Sequence, residues 1–542
     1  VYEVLERLTF FSIYSNLIIY LTKKLHQGTV EAANNVTNWV GTVYLTPIIG
    51  AYIADAILGQ FWTFVITSGV YLSGAILLTL SVTIHPLKPP SCTEQQLLLA
   101  CEKPTSTQIL VYFIALYTVA LGTGFTKPNI STFAADQFDE FSVREKSLKL
   151  SFFNWWTFSI SIGNLIAYTA LVYVQDNVGW GFGYGIPTVG LGISIIIFCI
   201  GTPFYRHKSI QGSSPFTTMV RVIVVSFRNC NVTLPPDTKE LYELDSEIYK
   251  NGRHRIDSTS SLRFLNKACV KKTSGSTSLW GLCCVTEVEE TKQILRMIPV
   301  LVMTFIPSTI VAQTGTLFVK QGTTLERKIG SFTIPPASLG GFVTLFMLIL
   351  IFLYDRLFVK TVRRWTKNPR GITLLQRLGL GMMMYVLVMT VAAIVEHHRL
   401  GVARRNGATE IGSQVSVSIF ILLPQFILMG LADGFFFVPI IEFFYDQAPA
   451  GMKSLGTSYY LTSIGIGNFI SSFLVATVSR VTGGEEGRGW IRNNLNTSRL
   501  DYYYSTLAVL CVANFALFLV VSKFYVYKNE VSDSMKVLQE EL

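Results

Sequence analysis

The sequence predicts an all-α membrane protein of about twelve transmembrane helices arranged as two six-helix bundles, and three observations predict it. Half of the residues are hydrophobic and only 14% are charged, far from the balance of a soluble chain of this length. Apolar stretches long enough to cross about 30 Å of hydrocarbon recur from end to end. Lysine and arginine gather in two polar connections, which sets an orientation.

In order, the expected spans lie near 1–21, 38–54, 61–84, 109–126, 152–174, 184–204, 294–319, 339–353, 378–395, 417–444, 456–481 and 502–525. The chain opens on Val1 and is helical by its third residue, so a native start upstream is expected. Residues 1–204 read as the N-terminal bundle and 293–527 as the C-terminal bundle. Between them, 205–292 reads as a polar linker with an amphipathic helix near Phe216 to Phe227, and 528–542 as a tail. Basic residues run through the linker from Arg206 to Lys272, and a second cluster from Arg356 to Arg377 joins the eighth and ninth spans. The positive-inside rule makes both connections, and with them both termini, cytoplasmic. The loops at Lys23 to Lys24, Lys88 to Lys103 and Asp176 to Gly179 then lie outside. The net charge of +10 is a topology signal, and nucleic acid is not an expected partner; the lipid bilayer is.

Charge inside the spans carries the chemistry. Glu3, Glu6 and Arg7 stand in the first span, where each charge costs about 2.5–3.5 kcal/mol or more. On a helix Glu3 and Glu6 share a face and Arg7 lies four residues from Glu3, so both carboxylates can reach one guanidinium. Such a cluster faces a water-filled cavity and points to proton traffic. A static buried salt bridge is the alternative, and a poor stabiliser beside apolar packing. Asp433 is a lone carboxylate within the tenth span.

Other chemistry has little support. No nucleotide cradle, catalytic triad or cofactor motif is present, so neither enzyme activity nor a cofactor is expected, with protons as the coupling ion. His397-His398 lack further ligands at metal spacing and read, beside Arg399, as a solvated outer loop, so no metal is expected. The eight cysteines are scattered; Cys92 and Cys101 share one outer loop where a disulfide is chemically permitted, and Cys283-Cys284 read as free thiols. Asn35-Val-Thr37 and Asn496-Thr-Ser498 are candidate glycosylation sequons.

Glu3-x-x-Glu6-Arg7 resembles the signature of the proton-dependent oligopeptide transporter family, within the major facilitator superfamily. Gly50-Ala-Tyr-Ile-Ala-Asp55-Ala-Ile-Leu-Gly59 looks like its gating motif between the second and third spans, and Gly124-Phe-Thr-Lys127-Pro-Asn-Ile-Ser131 like its fourth-span motif. Phe152-Phe-Asn-Trp-Trp156, Leu374-Leu-Gln-Arg377 and Glu442-Phe-Phe-Tyr-Asp-Gln-Ala-Pro449 resemble the plant nitrate and peptide transporter branch. Within it, Asn38-Trp-Val-Gly41, Asn368-Pro-Arg-Gly-Ile-Thr373 and Met452-Lys-Ser-Leu-Gly-Thr457 look closest to peptide-transporter-3-like proteins. The resemblance covers essentially the whole chain.

It implies a role for each matching position. Lys127 would pair with the first-span cluster, and Asp433, commonly glutamate in the family, would couple the cytoplasmic gate or receive a substrate amine. The substrate pocket departs further. Phe10 and Phe11 stand where peptide transporters carry tyrosines, and Tyr14 where a basic residue is expected. Tyr44 matches a pocket tyrosine, and Ser161 replaces an asparagine. In the seventh span Ala312 precedes Gln313 where bacterial relatives have glutamate, and Val311 replaces the histidine of the best-known plant nitrate transporter. A nitrate site built on that imidazole is therefore unavailable. Thr63 matches a regulatory phosphothreonine, with Gln60 in place of the usual basic residue.

The combined expectation is a proton-coupled symporter importing a small-molecule substrate by alternating access, di- or tripeptides first. Nitrate, a plant hormone or a secondary metabolite are the alternatives, and a nutrient receptor without net transport is an alternative of another class. The plasma membrane is the expected residence, with the vacuolar membrane second.

Overall fold

The computed structural model describes residues 1–90, 103–135, 137–138, 143–206, 215–235, 240–244, 256, 258–259, 261–270, 281–366, 371–408, 410, 412–449, 452–483, 489–525 and 527. Cys92, Cys101 and the tail 528–542 lie outside the described residues.

The N-terminal bundle is α1 (Tyr2–Lys23), α2 (Thr29–Ile53), α3 (Gln60–Thr83), α4 (Ser106–Ala135), α5 (Val143–Ile166) and α6 (Trp180–Ile200). A wide turn over Ala167–Leu171 continues α5 into Val172–Asn177. The linker helix is α7 (Pro215–Arg228). The C-terminal bundle begins with α8 (Val285–Arg296), followed by α9 (Gly340–Leu353), α10 (Leu374–Arg405), α11 (Leu423–Gln447), α12 (Lys453–Thr482) and α13 (Leu500–Phe524). Ten described helices are long and apolar enough to cross a membrane, and eleven if one bent pair is counted as a span. The remaining long helix, α2, is too polar for that count because Glu31, Asn34, Asn35 and Asn38 fill its first turns, yet it packs among α4, α12 and α1. Large apolar side chains such as Phe182, Ile200, Phe473 and Val509 cover the outer faces, as lipid contact requires. The chain is a multi-pass membrane protein.

Local chemistry sets the helix ends. Thr373 and Gln376 cap each other's amides at the start of α10, at 3.2 and 3.0 Å. Gly59 reverses the chain between α2 and α3 at φ 76°, a conformation costly for any other residue. Where α2 crosses α4, a Cβ on Gly50 would lie 2.8 Å from the Phe125 backbone, so only glycine permits the approach.

The seventh span departs from the uninterrupted helix expected over 294–319. It runs as Val285–Arg296, Ile298–Met303, Phe305–Val311 and Leu317–Gly322, bent by 46° at Thr304. Pro307 is the physical reason, since it has no amide to offer the carbonyl of Met303 four residues back. Asn514 of α13 donates to that carbonyl instead, at 2.8 Å. The ninth span also differs. Helix α10 runs past His397-His398 to Arg405, and Arg399, expected in a solvated loop, is fully buried. Its charge is met by Glu396 one turn earlier and by residues nearly a hundred positions away.

The linker builds a small core of its own rather than a simple surface helix. Val222 and Val225 of α7 pack with Leu265, Cys269, Cys283 and Val288. Arg221 pairs with Glu287 at 2.5 Å, tying α7 to the base of α8. Burial pushes the Cys283 thiol up to about 11, and Cys269 also rises for the same reason. Both cysteines stay protonated and inert.

On the side away from the linker, short strands decorate the C-terminal bundle. β1 (Leu325–Glu326) pairs in parallel with β4 (Val415–Ser418), placing Leu325 opposite Val415, and β2 (Lys328–Ile329) pairs antiparallel with β3 (Phe332–Thr333). On that side the bundles meet. Tyr173 stacks on Phe332 at 5.4 Å, the Tyr14 ring lies on Gly315, and Tyr168 lies on Gly340.

Candidate transport site

The first-span charges lie on one face of α1. Arg7 Nε donates to Glu3 Oε1 at 2.9 Å and sits 3.0 Å from Glu6 Oε2. That nitrogen has one proton, and it points at Glu3. Among the described residues neither carboxylate oxygen of Glu6 accepts a hydrogen bond, although both are buried. Buried polar atoms are satisfied in the great majority of cases, so such an exception calls for an explanation. Close packing holds the cluster. A Cβ on Gly163 of α5 would lie 2.7 Å from the Val4 carbonyl and 2.9 Å from Arg7 Cβ.

Lys127 of α4 reaches the same region between two aromatic faces. Its Nζ lies 4.1 Å from the centroid of Phe10 and 4.4 Å from that of Tyr44. A desolvated ammonium over an aromatic face gains roughly 2 kcal/mol or more, so these rings form a favourable seat. Phe10 also stacks on Trp39 at 5.5 Å, and the Trp39 indole is fixed by donating to the Leu116 carbonyl at 2.8 Å. Phe10, expected to line the substrate pocket, is thus 1% exposed and serves as a wall for the lysine in this conformation.

Asp433 of α11 accepts from the Tyr385 hydroxyl of α10 at 2.7 Å.

The remaining expected positions divide in two. Phe11, Tyr14, Tyr44 and Val311 are half-buried. Ser161, Ala312 and Gln313 are buried in helix packing. Ser161 spends its hydroxyl on the Thr157 carbonyl at 3.1 Å, and Gln313 donates to Ser471 at 3.0 Å. Thr63 is 1% exposed in the first turn of α3 and is not presented to a kinase in this conformation. Asn496 is likewise buried, its amide bound to Arg399 and Ser413, so that sequon is closed to glycosylation while the loop is folded. In the gating motif, Gly50 and Gly59 have the roles given above, and the side chain of Asp55 lies outside the described residues. Among the described residues no group of three His, Cys, Asp or Glu side chains stands where a metal could be held.

The profile of the POT family (PTR2) matches residues 61–491. This chain belongs to the POT family. It is 60% identical to Protein NRT1/ PTR FAMILY 5.2 of Arabidopsis thaliana over all of this chain and 93% of that relative, and 57% identical to Protein NRT1/ PTR FAMILY 5.3 of the same plant, over all of this chain and 92% of that one. A solved auto inhibited POT family peptide transporter shares the fold at a TM-score of 0.70 and 18% identity, over 98% of this chain and 97% of that one. A mutant peptide transporter POT, solved in complex with alafosfalin, superposes at a TM-score of 0.64 and 15% identity, over 96% of this chain and 93% of that one. The family is one of transporters, and this POT chain has its major-facilitator architecture.

Several site residues of this POT chain escape sequence reasoning. Tyr385 sits on another helix than the carboxylate it serves, and nothing in its local spacing marks it; Trp39 lies in Asn38-Trp-Val-Gly41, which marks a family likeness and not its place behind Phe10. Arg377 carries a signal, since it belongs to the Leu374-Leu-Gln-Arg377 motif. Its guanidinium stacks 4.0 Å from the Tyr354 ring centroid.

Proposed function

We propose that this POT-family transporter is a proton-coupled symporter that imports small organic solutes by alternating access, with di- and tripeptides first in the panel. The observation that carries the reading is Glu6, a buried carboxylate paired to Arg7 by charge alone. A proton arriving there removes one negative charge from a cluster holding Glu3, Arg7 and Lys127. The cations then lose part of their compensation, and the packing of α1 against α4 and α5 loosens. The membrane potential supplies about 2.3 kcal/mol per charge per 100 mV to drive the step. The proton is the coupling ion, and the reading needs no bound cofactor. Tyr14, packed on Gly315 of the other bundle, and Tyr44 offer hydroxyls and ring faces, and Asp433 offers a carboxylate for an amine. Solved POT transporters with alafosfalin and with 5-aminolevulinic acid support a small amino-bearing solute. The basic linker and the Arg356 to Arg377 cluster support cytoplasmic termini, and the plasma membrane is the proposed residence.

The test is substrate-evoked inward current at acidic outside pH in oocytes, across dipeptides, nitrate and hormones. Dipeptide current that vanishes in Glu6→Gln is expected. A surface-expressed chain silent to the whole panel would refute peptide symport. A signalling response that survives Lys127→Gln without uptake would favour a receptor.

A further inference from the structure

Helix α2 begins without a cap of its own. Gly28 occupies the capping position and has no side chain to accept from the first amides. The amide of Thr29 donates instead to Oδ1 of Asn493, 464 residues away and in the opposite bundle, at 2.9 Å. The Thr29 hydroxyl donates to the Asn493 carbonyl at 3.3 Å. Asparagine is among the best capping residues, and here it caps across the seam between the bundles. The fit is tight, since a Cβ on Gly28 would lie 2.9 Å from that Oδ1.

The loop that presents Asn493 is held firmly by its own bundle. Arg399 donates to the Leu495 carbonyl at 2.9 Å and to Asn496 Oδ1 at 2.6 Å, and Asn496 donates to the Ser413 carbonyl at 3.0 Å. Arg399 is in turn bound to Glu396, which accepts from Gln321 of the seventh span at 2.6 Å. Ile491 and Leu495 are buried on either side of Asn493. The asparagine therefore moves with the C-terminal bundle, while Thr29 moves with the N-terminal one.

We propose that Asn493 is a gate-positioning residue. It caps α2 only while the bundles are closed on the side away from the linker, so the cap biases the transporter toward that closed state. The inference rests on the alternating-access reading. Because the cap links two bodies, its loss shifts a conformational balance as well as helix stability, and a typical cap corresponds to roughly a fivefold change in that balance.

The test measures distances between nitroxide labels at Lys88 and Arg404, exposed positions on that side of opposite bundles, in the full chain with native cysteines replaced and in the absence of substrate. Asn493→Ala is expected to raise the ratio of long to short distances about fivefold. Gly28→Ser supplies a cap within α2 and crowds Asn493, so it should raise the ratio in a well-folded protein. The double variant Gly28→Ser/Asn493→Ala should keep the raised ratio. An unchanged ratio in either single variant would overturn the proposal. So would a double variant that returns to the wild-type ratio, because the effect would then be fraying of α2. A wild-type chain with one distance at every pH would instead overturn alternating access, and the gate with it.

Discussion

Replacing Arg399 with methionine tests the buried network on the side away from the linker. Both Arg399 and Glu396 are 0% exposed, and they meet through two hydrogen bonds of 2.7 and 2.6 Å. The guanidinium also serves Thr324 at 3.0 Å, Asn496 and the Leu495 carbonyl. After Arg399→Met, Glu396 keeps, among the described residues, only the Gln321 amide, and Asn496 Oδ1 loses the guanidinium, while the Leu495 carbonyl keeps the Ser498 hydroxyl and amide. Breaking one side of a buried pair costs about 3–5 kcal/mol, because the partner charge is left without compensation. At about 2 °C per kcal/mol for a large chain, the thermal midpoint should fall by roughly 6–10 °C. Tryptophan fluorescence of the detergent-solubilised chain at a fixed scan rate reads this. Arg399→Met/Glu396→Met should recover most of the loss, since apolar side chains of similar size remove both charges together. A fall of under about 2 °C, the scale of an exposed ion pair, with no recovery in the double variant, would refute the reasoning.

Tyr385→Phe removes the donor to Asp433 and should cost about 1.5–3 kcal/mol, the range for a hydrogen bond to a charged group, read as a lower thermal midpoint with reduced evoked current. Phe10→Ala strips one wall from Lys127 and opens a cavity beside Trp39; a midpoint loss equivalent to about 3–5 kcal/mol is expected, whereas Phe10→Tyr should be tolerated if the ring face is what matters. At pH 8 a maleimide should label exposed Cys230 but spare Cys269 and Cys283 until the chain is denatured. The same burial has a pH sign. The Cys283 thiol rises from an ordinary 9.0 to about 11, so its share of linker-core stability is complete below pH 9 and disappears as pH climbs through 11. Proteolysis of the linker across that range should accelerate.

Much of the site was legible in the sequence because helical spacing alone places Glu3, Glu6 and Arg7 on one face, and the ion pairs form there. Asp433 stood out because charge in an apolar span is expensive, and Lys127 through the resemblance of Gly124-Phe-Thr-Lys127-Pro-Asn-Ile-Ser131 to the family's fourth-span motif. The aromatic seat of Lys127 was not legible, since Phe10 and Tyr44 come from two helices and their faces converge only in the packed bundle. The break in the seventh span was marked by Pro307, a residue with a definite consequence that span length alone obscures. Arg399 misled in the opposite direction. A basic residue after two histidines resembles a loop, and its burial is made tolerable by Glu396 one turn earlier together with partners from distant segments.

By itself, the sequence determined membrane residence, the two-bundle layout and the charged face of α1, because hydropathy and helical period are local properties. Tertiary structure alone decided which carboxylate of that face lacks a hydrogen bond, which rings seat the lysine, and which asparagine caps α2 across the seam. Those outcomes depend on distances between segments hundreds of residues apart, and such distances are fixed by packing, not by spacing along the chain.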